Sequence, residues 1–225
     1  MNKNSDNIYI IIVAAGIGSR FDSALPKQYC LLNGMPVVMH TINRLRVFVP
    51  GGKIILVISR EMHSLWNELC GEFRFSSPDI VYGGKNRTES VRNALDSIED
   101  NDGIVLIHDG VRPLIDRNTV SNVINAVVDG VGVAPAVDVT DSLRKILHDN
   151  TSISVNRSEY KRVQTPQGFI LNQIREAYSR PPENVTDDLS VWENCGGKTV
   201  LVDGSSRNIK ITYPEDIALA SILLK

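Results

Sequence analysis

This sequence of 225 residues has few cysteines, no long apolar run and nearly balanced positive and negative charges. The three cysteines, Cys30, Cys70 and Cys195, are odd in number and far apart, which excludes a disulfide framework and a zinc-knuckle spacing and fits a reducing compartment. The first apolar stretch, Ile8–Ala15, is too short for a signal core or a membrane span. With 24 basic and 26 acidic side chains, the chain lacks the basic excess of nucleic-acid-binding proteins. We therefore expect a cytoplasmic protein with no membrane or nucleic-acid partner, in which an anionic ligand must meet locally clustered cations.

Apolar runs that alternate with helical patterns indicate an α/β fold. The chain is 42% apolar, so it can bury a sizeable core, and we expect residues 1–225 to form a single domain. Short β-branched runs, typical of strands buried on both faces, lie at Ile8–Val13, Lys53–Ile58, Gly103–Ile107, Val131–Val137 and Thr199–Val202. Helical patterns lie at Pro36–Leu45, Glu61–Leu69, Arg87–Ile98, Asn118–Val128 and Pro214–Leu223. This order predicts a Rossmann-like, doubly wound, mostly parallel sheet with ligands at the carboxyl ends of its strands.

Residues 138–162 break this alternation. They are rich in charged and hydroxyl side chains, and the runs Ser142–Leu147 and Ser152–Asn156 alternate in polarity. Such alternation is typical of strands with one exposed face. We therefore expect a protruding β-hairpin arm.

A glycine-rich turn follows the first predicted strand. Its small residues and nearby cations are Ala14, Ala15, Gly16, Gly18, Arg20 and Lys27. The glycines let backbone N–H groups turn toward a ligand, and the two cations supply the charge that a triphosphate requires. A dinucleotide fingerprint would need a third glycine and an immediate helix, which Pro26 interrupts, and the Gly-Lys-Ser/Thr ending of a P-loop ATPase is missing. Taken alone, the turn is also compatible with a plain strand-to-helix connection that carries two solvated cations.

The motif Ala-Ala-Gly-x-Gly-x-Arg at residues 14–20, with Pro-Lys-Gln at 26–28, resembles the sugar-nucleotide pyrophosphorylases, and more narrowly the 2-C-methyl-D-erythritol 4-phosphate cytidylyltransferases. Four further blocks match that family in order, at residues 82–91, 105–113, 157–169 and 185–212. The resemblance implies transfer of CMP from CTP to 2-C-methyl-D-erythritol 4-phosphate with release of pyrophosphate. It also implies Mg²⁺ as cofactor and a homodimer formed through the arm.

The second block, Tyr-Gly-Gly-Lys-Asn-Arg-Thr-Glu-Ser-Val, resembles the part of the family that holds the base. By resemblance, Gly83 and Gly84 admit the flat ring, and Lys85 and Ser90 contact the nucleotide. A helix cap formed by Thr88 or Ser90 explains the same residues equally well.

The arm and the segment after it carry the acceptor-binding residues that the resemblance implies. Arg157 and Thr165 would grip the phosphate of the sugar alcohol. The family's Asp-Thr-x-Lys appears here as Asp-Ser-Leu-Arg at 141–144, so the arm hydroxyl could come from Thr140 or Ser142.

An apolar strand ends in the sequence His-Asp-Gly-Val-Arg-Pro at 108–113, where an α/β sheet places its active-site edge. Asp109 is the candidate Mg²⁺ ligand, because magnesium prefers hard oxygens and uses few protein carboxylates. Gly110 and Arg112 are assigned to the substrate by resemblance, although Asp109 and Arg112 could simply pair at a turn. His108 is expected to be structural.

The last block, residues 185–212, completes the expected site. Thr186 is expected to cap a helix with Asp187 and Asp188 in its first turn, which is a structural role. Lys210 is expected in an apolar strand, where a cation is more naturally aimed at a phosphate than at water.

The expected mechanism is in-line attack of the substrate phosphate on the α-phosphorus of CTP. Arg20, Lys27, Lys210 and Mg²⁺ would offset the repulsion between the two anions. A phosphate monoester is already largely dianionic near neutral pH, so no general base is required.

The nearest alternative is a ribitol-5-phosphate cytidylyltransferase, whose His-Asp-x-Val-Arg-Pro resembles the form seen here, although the Thr-Asp-Asp and Gln-Thr-Pro-Gln-x-Phe blocks favour the erythritol phosphate. A non-catalytic nucleotide-binding protein would be expected to lose the loop cations or the strand-end carboxylate. A dinucleotide-dependent dehydrogenase would need an acidic residue about 20 positions after the loop to bind ribose. Residues 31–39 of this chain contain none.

Overall fold

The computed structural model describes residues 7–16, 21, 25–182 and 185–224. The strands are β1 (Ile8–Val13), β2 (Leu31–Leu32), β3 (Met35–Pro36), β4 (Lys53–Ile58), β5 (Asp79–Tyr82), β6 (Ile104–Asp109), β7 (Val131–Asp138), β8 (Arg144–Ile146), β9 (Ser152–Ser154), β10 (Lys161–Val163), β11 (Gln167–Ile170) and β12 (Lys198–Asp203). The helices are α1 (Val37–Phe48), α2 (His63–Glu72), α3 (Arg87–Asp96), α4 (Arg117–Ala126), α5 (Leu171–Ser179), α6 (Asp188–Asn194) and α7 (Glu215–Leu223). All five predicted strands and all five predicted helices are present, with boundaries that shift by at most three residues.

Eight strands form one mixed, mostly parallel sheet. Seven of them follow the order β10-β7-β11-β6-β1-β4-β5, and β12 pairs with β7. The pairs β1–β4, β1–β6, β4–β5 and β7–β12 are parallel, whereas β10 and β11 run antiparallel to their neighbours. The doubly wound α/β fold predicted from the sequence is confirmed.

Helices cover both faces of this sheet because the central strands are apolar on both sides. In β1, Ile10 and Ile12 pack with residues of α1, α2 and α4, while Tyr9 and Ile11 pack with α3, α5 and α6. Ile10, Ile11 and Ile12 are fully buried. At about 25 cal/mol per Å² of apolar surface removed from water, such strands dominate the favourable side of folding.

Two parts of the fold differ from the prediction. The expectation of burial on both faces is wrong for β12, most of whose residues are exposed, because among the described residues it pairs with β7 alone at the sheet edge. The strands β2, β3, β5, β10 and β11 were not predicted, because runs of two to four residues are too short for a period to show. Helix α5 was also missed, although Leu171, Ile174, Ala177 and Tyr178 form its buried face. Of α6, only the start near Thr186 was predicted.

The arm is a hairpin, as predicted. Within it, β8 and β9 pair antiparallel in a separate two-stranded sheet, with Arg144 opposite Ser154. At its base, Lys161 lies opposite Asp138 and forms an ion pair with it. Every described helix is too short or too polar to cross a membrane.

Candidate active site

The carboxyl ends of the central strands bring the predicted loops together at one edge of the sheet. In the parallel register of β1 and β6, Val13 lies beside Asp109, so the loop that begins at Ala14 starts next to that carboxylate. On the other side, Ala14 donates a backbone hydrogen bond to Val57 (2.8 Å), and Gly83 donates one to Ile58 (2.9 Å). Two adjoining cavities of about 490 and 260 Å³ open at this edge.

The glycine-rich loop lines the larger cavity, and Gln28 fixes its shape. The Gln28 side chain is 3% exposed and donates from Nε2 to the carbonyl oxygens of Ala14 (2.7 Å) and Gly16 (2.9 Å). Lys27 lies in the short 3₁₀ turn Lys27–Tyr29 and lines the same cavity. The predicted residues Gly18 and Arg20 lie outside the described residues.

The second glycine pair lies against the first loop. A Cβ atom on Gly83 would lie 2.5 Å from the Ala15 Cβ and 2.8 Å from the Ser90 Oγ, so only glycine fits without displacing one of them. Ser90 is buried at the cavity wall, where its hydroxyl donates to the Asn86 carbonyl (2.8 Å) and accepts from Gly84 N (3.1 Å).

The predicted helix cap in this block is wrong. The N-cap of α3 is Asn86, whose side chain accepts from Glu89 N (2.8 Å), while Glu89 reaches back to Lys85 N (2.8 Å). Neither Thr88 nor Ser90 caps the helix. The Glu89 carboxylate instead fixes the backbone of Lys85, the residue before the N-cap, and Lys85 lines the larger cavity.

Asp109 is the electrostatic centre of the site. Its Oδ2 lies 3.0 Å from the Lys210 Nζ and 3.2 Å from the Arg112 Nε, and its Oδ1 faces the Arg87 Nε across 4.0 Å. Burial alone would raise the pKa of Asp109, but Lys210, Arg87 and Arg112 together hold that pKa well below its usual range. Asp109 is therefore ionised. Arg112 forms an ion pair with it, as the alternative interpretation of a pair at a turn predicted.

Lys210 reaches Asp109 from a segment that is not a strand, so that part of the prediction is wrong. Residues 208–212 form no sheet pairing, and Ile211 N bonds to the Val111 carbonyl (2.9 Å). This contact carries Lys210 over the end of β6. Its side chain is 42% exposed, which leaves the ammonium group open to the cavities that it lines.

Arg87, the first residue of α3, links the site to α6. It binds Asp188 in a two-point ion pair, with Nη1–Oδ1 and Nη2–Oδ2 distances of 2.7 and 2.6 Å, and Tyr178 donates to the same carboxylate at 2.5 Å. The N-cap of α6 is Asp187, which accepts from Ser190 N (3.1 Å), so the prediction that Thr186 caps this helix is wrong. Thr186 and Asp187 line the smaller cavity instead.

The smaller cavity also contains Thr165, whose hydroxyl is engaged internally. It accepts from Asp109 N (3.1 Å) and donates to the His108 Nδ1 (3.0 Å), because the His108 Nε2 faces the Arg112 carbonyl (3.3 Å) and carries the proton. Burial lowers the pKa of His108 to about 4, so the ring is neutral. The structural role expected for His108 agrees with this geometry.

The remaining predicted residues lie apart from the cavities. Thr140, Ser142 and Arg157 are exposed on the arm and line neither cavity of their own chain. Gly110 lies behind the site, where its N–H bonds to the Val13 carbonyl (2.9 Å) and its carbonyl accepts from Thr41 (2.9 Å).

Several residues that line the cavities had not been predicted to bind a ligand: Gln28, Ser59, Glu61, Asn86, Arg87, Val111, Val163, Gln164, Gln167, Thr186 and Asp187. Gln28 and Arg87 stand inside the matched motifs, so their position was a usable signal. Gln164 and Gln167 stand inside the matched Gln-Thr-Pro-Gln block as well, and Gln167 is the first residue of the antiparallel strand β11.

A doubly wound sheet whose carboxyl edge joins a glycine-rich loop, converging cations and one carboxylate is the arrangement of an α/β nucleotidyltransferase. Comparison with known proteins narrows this class. Residues 8–225 match the family described as 2-C-methyl-D-erythritol 4-phosphate cytidylyltransferase (IspD), and the chain belongs to this family.

Individual relatives agree in length and fold. The 2-C-methyl-D-erythritol 4-phosphate cytidylyltransferase of Porphyromonas gingivalis is 43% identical over 219 residues, which cover 96% of this chain and 97% of the relative. The enzyme of the same name from Bacteroides thetaiotaomicron is 41% identical over 217 residues, with 96% and 98% covered. The crystal structure of 4-diphosphocytidyl-2C-methyl-D-erythritol synthase from Anaerococcus prevotii superposes with a TM-score of 0.81 at 29% identity and covers 96% of this chain and 97% of its own.

Proposed function

We propose that this protein transfers CMP from CTP to 2-C-methyl-D-erythritol 4-phosphate, giving 4-diphosphocytidyl-2-C-methyl-D-erythritol and pyrophosphate, as a cytoplasmic step in the non-mevalonate formation of isoprenoid precursors. One observation carries the proposal beyond family membership. The two cavities share Arg87, Asp109 and Lys210, so a ligand in each would meet at a charged junction.

The larger cavity suits the nucleotide. One part of its wall consists of small residues and backbone, namely Ala14, Ala15, Gly16 and Gly84, which admit a flat base and phosphate oxygens. Lys27 and Lys210 also line this cavity and place positive charge along a triphosphate. Arg20 belongs to the same loop by sequence and is assigned to the triphosphate with them.

The smaller cavity suits the acceptor phosphate. Its lining is dominated by polar groups, including Arg87, Arg112, Gln164 and Gln167. Such a wall matches a short sugar alcohol with a phosphate at one end better than an apolar acceptor. Thr165 stays assigned to this phosphate, although its hydroxyl also holds His108.

The chemical obstacle is the approach of two anions. Attack of the acceptor phosphate on the α-phosphorus spreads negative charge over the equatorial oxygens, and fixed cations at the junction stabilise that charge. A preorganised group of this kind contributes roughly 3 kcal/mol to lowering the barrier. The acceptor is already an anion, so the site needs no side chain that removes a proton.

A divalent cation fits the site through Asp109. The described residues contain no cluster of three or more potential ligands from His, Cys, Asp or Glu. The Asp109 Oδ2 is occupied by Lys210 and Arg112, so Oδ1 is the oxygen that would hold Mg²⁺, with the remaining ligands coming from the triphosphate and water. When bound, Mg²⁺ would neutralise charge on the phosphates.

The arm supports a homodimer. Thr140, Ser142 and Arg157 line neither cavity of their own chain, yet the family match extends through them. We assign the arm, residues 138–162, to dimerisation, with these side chains completing the acceptor site of the partner subunit. Sedimentation analysis of the full chain should therefore give a mass near 50 kDa, about twice that of the 24.9 kDa chain.

A pyrophosphate-release assay tests the function. Purified protein with CTP, Mg²⁺ and 2-C-methyl-D-erythritol 4-phosphate should release pyrophosphate, whereas UTP in place of CTP, or ribitol 5-phosphate in place of the acceptor, should give much less. Equal or faster turnover with ribitol 5-phosphate would reject the substrate assignment. Nucleotide binding without pyrophosphate release from either acceptor would reject the catalytic one.

A further inference from the structure

Asp188 lies behind the site and makes an unusually complete set of contacts. Its side chain is fully buried, yet both of its oxygens bind the Arg87 guanidinium, and Tyr178 adds a third contact. Both Nη atoms of Arg87 are thereby engaged. Only the Nε edge of the guanidinium is left to face Asp109.

Stability alone is a weak explanation for this ion pair. The free-energy cost of removing two charges from water is about as large as the gain from their attraction. Well-packed apolar residues in the same place often stabilise the fold equally well. The surrounding wall is apolar, since Tyr178 and Leu189, the residue after Asp188, belong to the buried core cluster that also contains Val91 and Leu95. What the ion pair provides that apolar residues could not is a fixed position for a guanidinium that lines both cavities.

The position that Asp188 imposes also affects Asp109. Arginine prefers two-point contact with a carboxylate, and Asp109 is the nearest alternative partner. The Arg87 Nε nevertheless lies 4.0 Å from the Asp109 Oδ1, which is too far for a hydrogen bond. Within the part of the chain that the structure describes, the Asp109 Oδ1 accepts no hydrogen bond.

We propose that Asp188, supported by Tyr178, is a positioning residue that holds Arg87 away from Asp109 and so keeps Oδ1 of Asp109 open at the junction of the two cavities. The inference rests on the proposed function, since the open oxygen matters only if substrates meet there. Without Asp188, Arg87 turns to Asp109, closes Oδ1 and narrows the junction.

The variant Asp188→Asn tests this role because it keeps the shape and removes the charge. At a temperature where circular dichroism shows the variant folded, kcat should fall by about 10-fold or more, because misplacement of a site group by about 1 Å has effects of this order or larger. Asp188→Glu, which restores the charge, should recover part of that loss. Tyr178→Phe should shift kcat in the same direction by a smaller factor, and it keeps the test available if Asp188→Asn does not fold.

The matched control is Leu45→Ala, which removes a fully buried side chain of α1 outside this network. It should lower the melting temperature with little change in kcat. If Leu45→Ala and Asp188→Asn lower kcat equally at an equal loss of stability, or if Asp188→Asn keeps the native kcat, the positioning role is refuted.

A crystal structure of Asp188→Asn separates this inference from the proposed function. Arg87 within hydrogen-bond distance of the Asp109 Oδ1 supports the inference even if the native protein releases no pyrophosphate, a result that would reject only the function. Arg87 in its native position overturns the inference whatever the activity.

Discussion

Replacing Gln28 by methionine should detach the glycine-rich loop from its support. Gln28→Met keeps nearly the same volume, so the change leaves no cavity, but it removes the donor that binds the carbonyl oxygens of Ala14 and Gly16 at 2.7 and 2.9 Å. Each lost hydrogen bond to a neutral partner costs about 1 kcal/mol. The free energy of unfolding should therefore fall by about 2 kcal/mol, and the KM for CTP should rise because the loop no longer presents its N–H groups in one arrangement.

Urea unfolding and initial rates at varied CTP measure the two effects. Gln173→Met is the matched control, because Gln173 donates to Asp129 from a site outside both cavities. It should leave the KM for CTP unchanged. If Gln28→Met unfolds at the native urea concentration and keeps the native KM for CTP, then Gln28 does not support the loop and the reasoning fails.

Four further outcomes follow from the site. Lys27→Ala should lower kcat by about 10²-fold while circular dichroism shows a native fold, and a variant with nearly full activity would remove Lys27 from the transition state. Gly83→Ala should raise the KM for CTP and cost about 1–3 kcal/mol of stability in urea unfolding, because its Cβ would lie 2.5 Å from the nearest side chain. Gly71→Ala, where no atom lies within 4 Å of the new Cβ, should do neither. Arg157→Ala should raise the KM for the acceptor more than the KM for CTP in steady-state kinetics, and equal increases would contradict its assignment.

The sheet could be predicted because its central strands are uniformly apolar and regularly spaced. β1 and β4 were predicted at their observed bounds, because a continuous run of apolar, β-branched residues is typical of a strand buried on both faces. β10 and β11 were not predicted, because strands of three and four residues are too short to show a periodic pattern. Their pairing with β6 and β7 is set by contacts distant in the sequence, which local propensity does not report.

The site also has a part that was predicted from the sequence and a part that was not. Lys27, Asp109 and Lys210 were predicted because each is a charged residue in an otherwise apolar or glycine-rich setting, and all three line the nucleotide cavity. The linkage of Arg87 to Asp188 joins residues 101 positions apart, so no local pattern contains it.

The double-sided burial of β1 and its neighbours has a consequence for mutational tolerance. Because both faces of these strands are apolar, exchanging one aliphatic side chain for another of similar volume should be accepted along most of their length. Insertion or deletion is a different kind of change. Each added residue advances a strand by about 3.3 Å, which is enough to carry Asp109 out of line with the loop that starts beside Val13. In a saturation library selected for growth, the strands should accept many substitutions and almost no change of length.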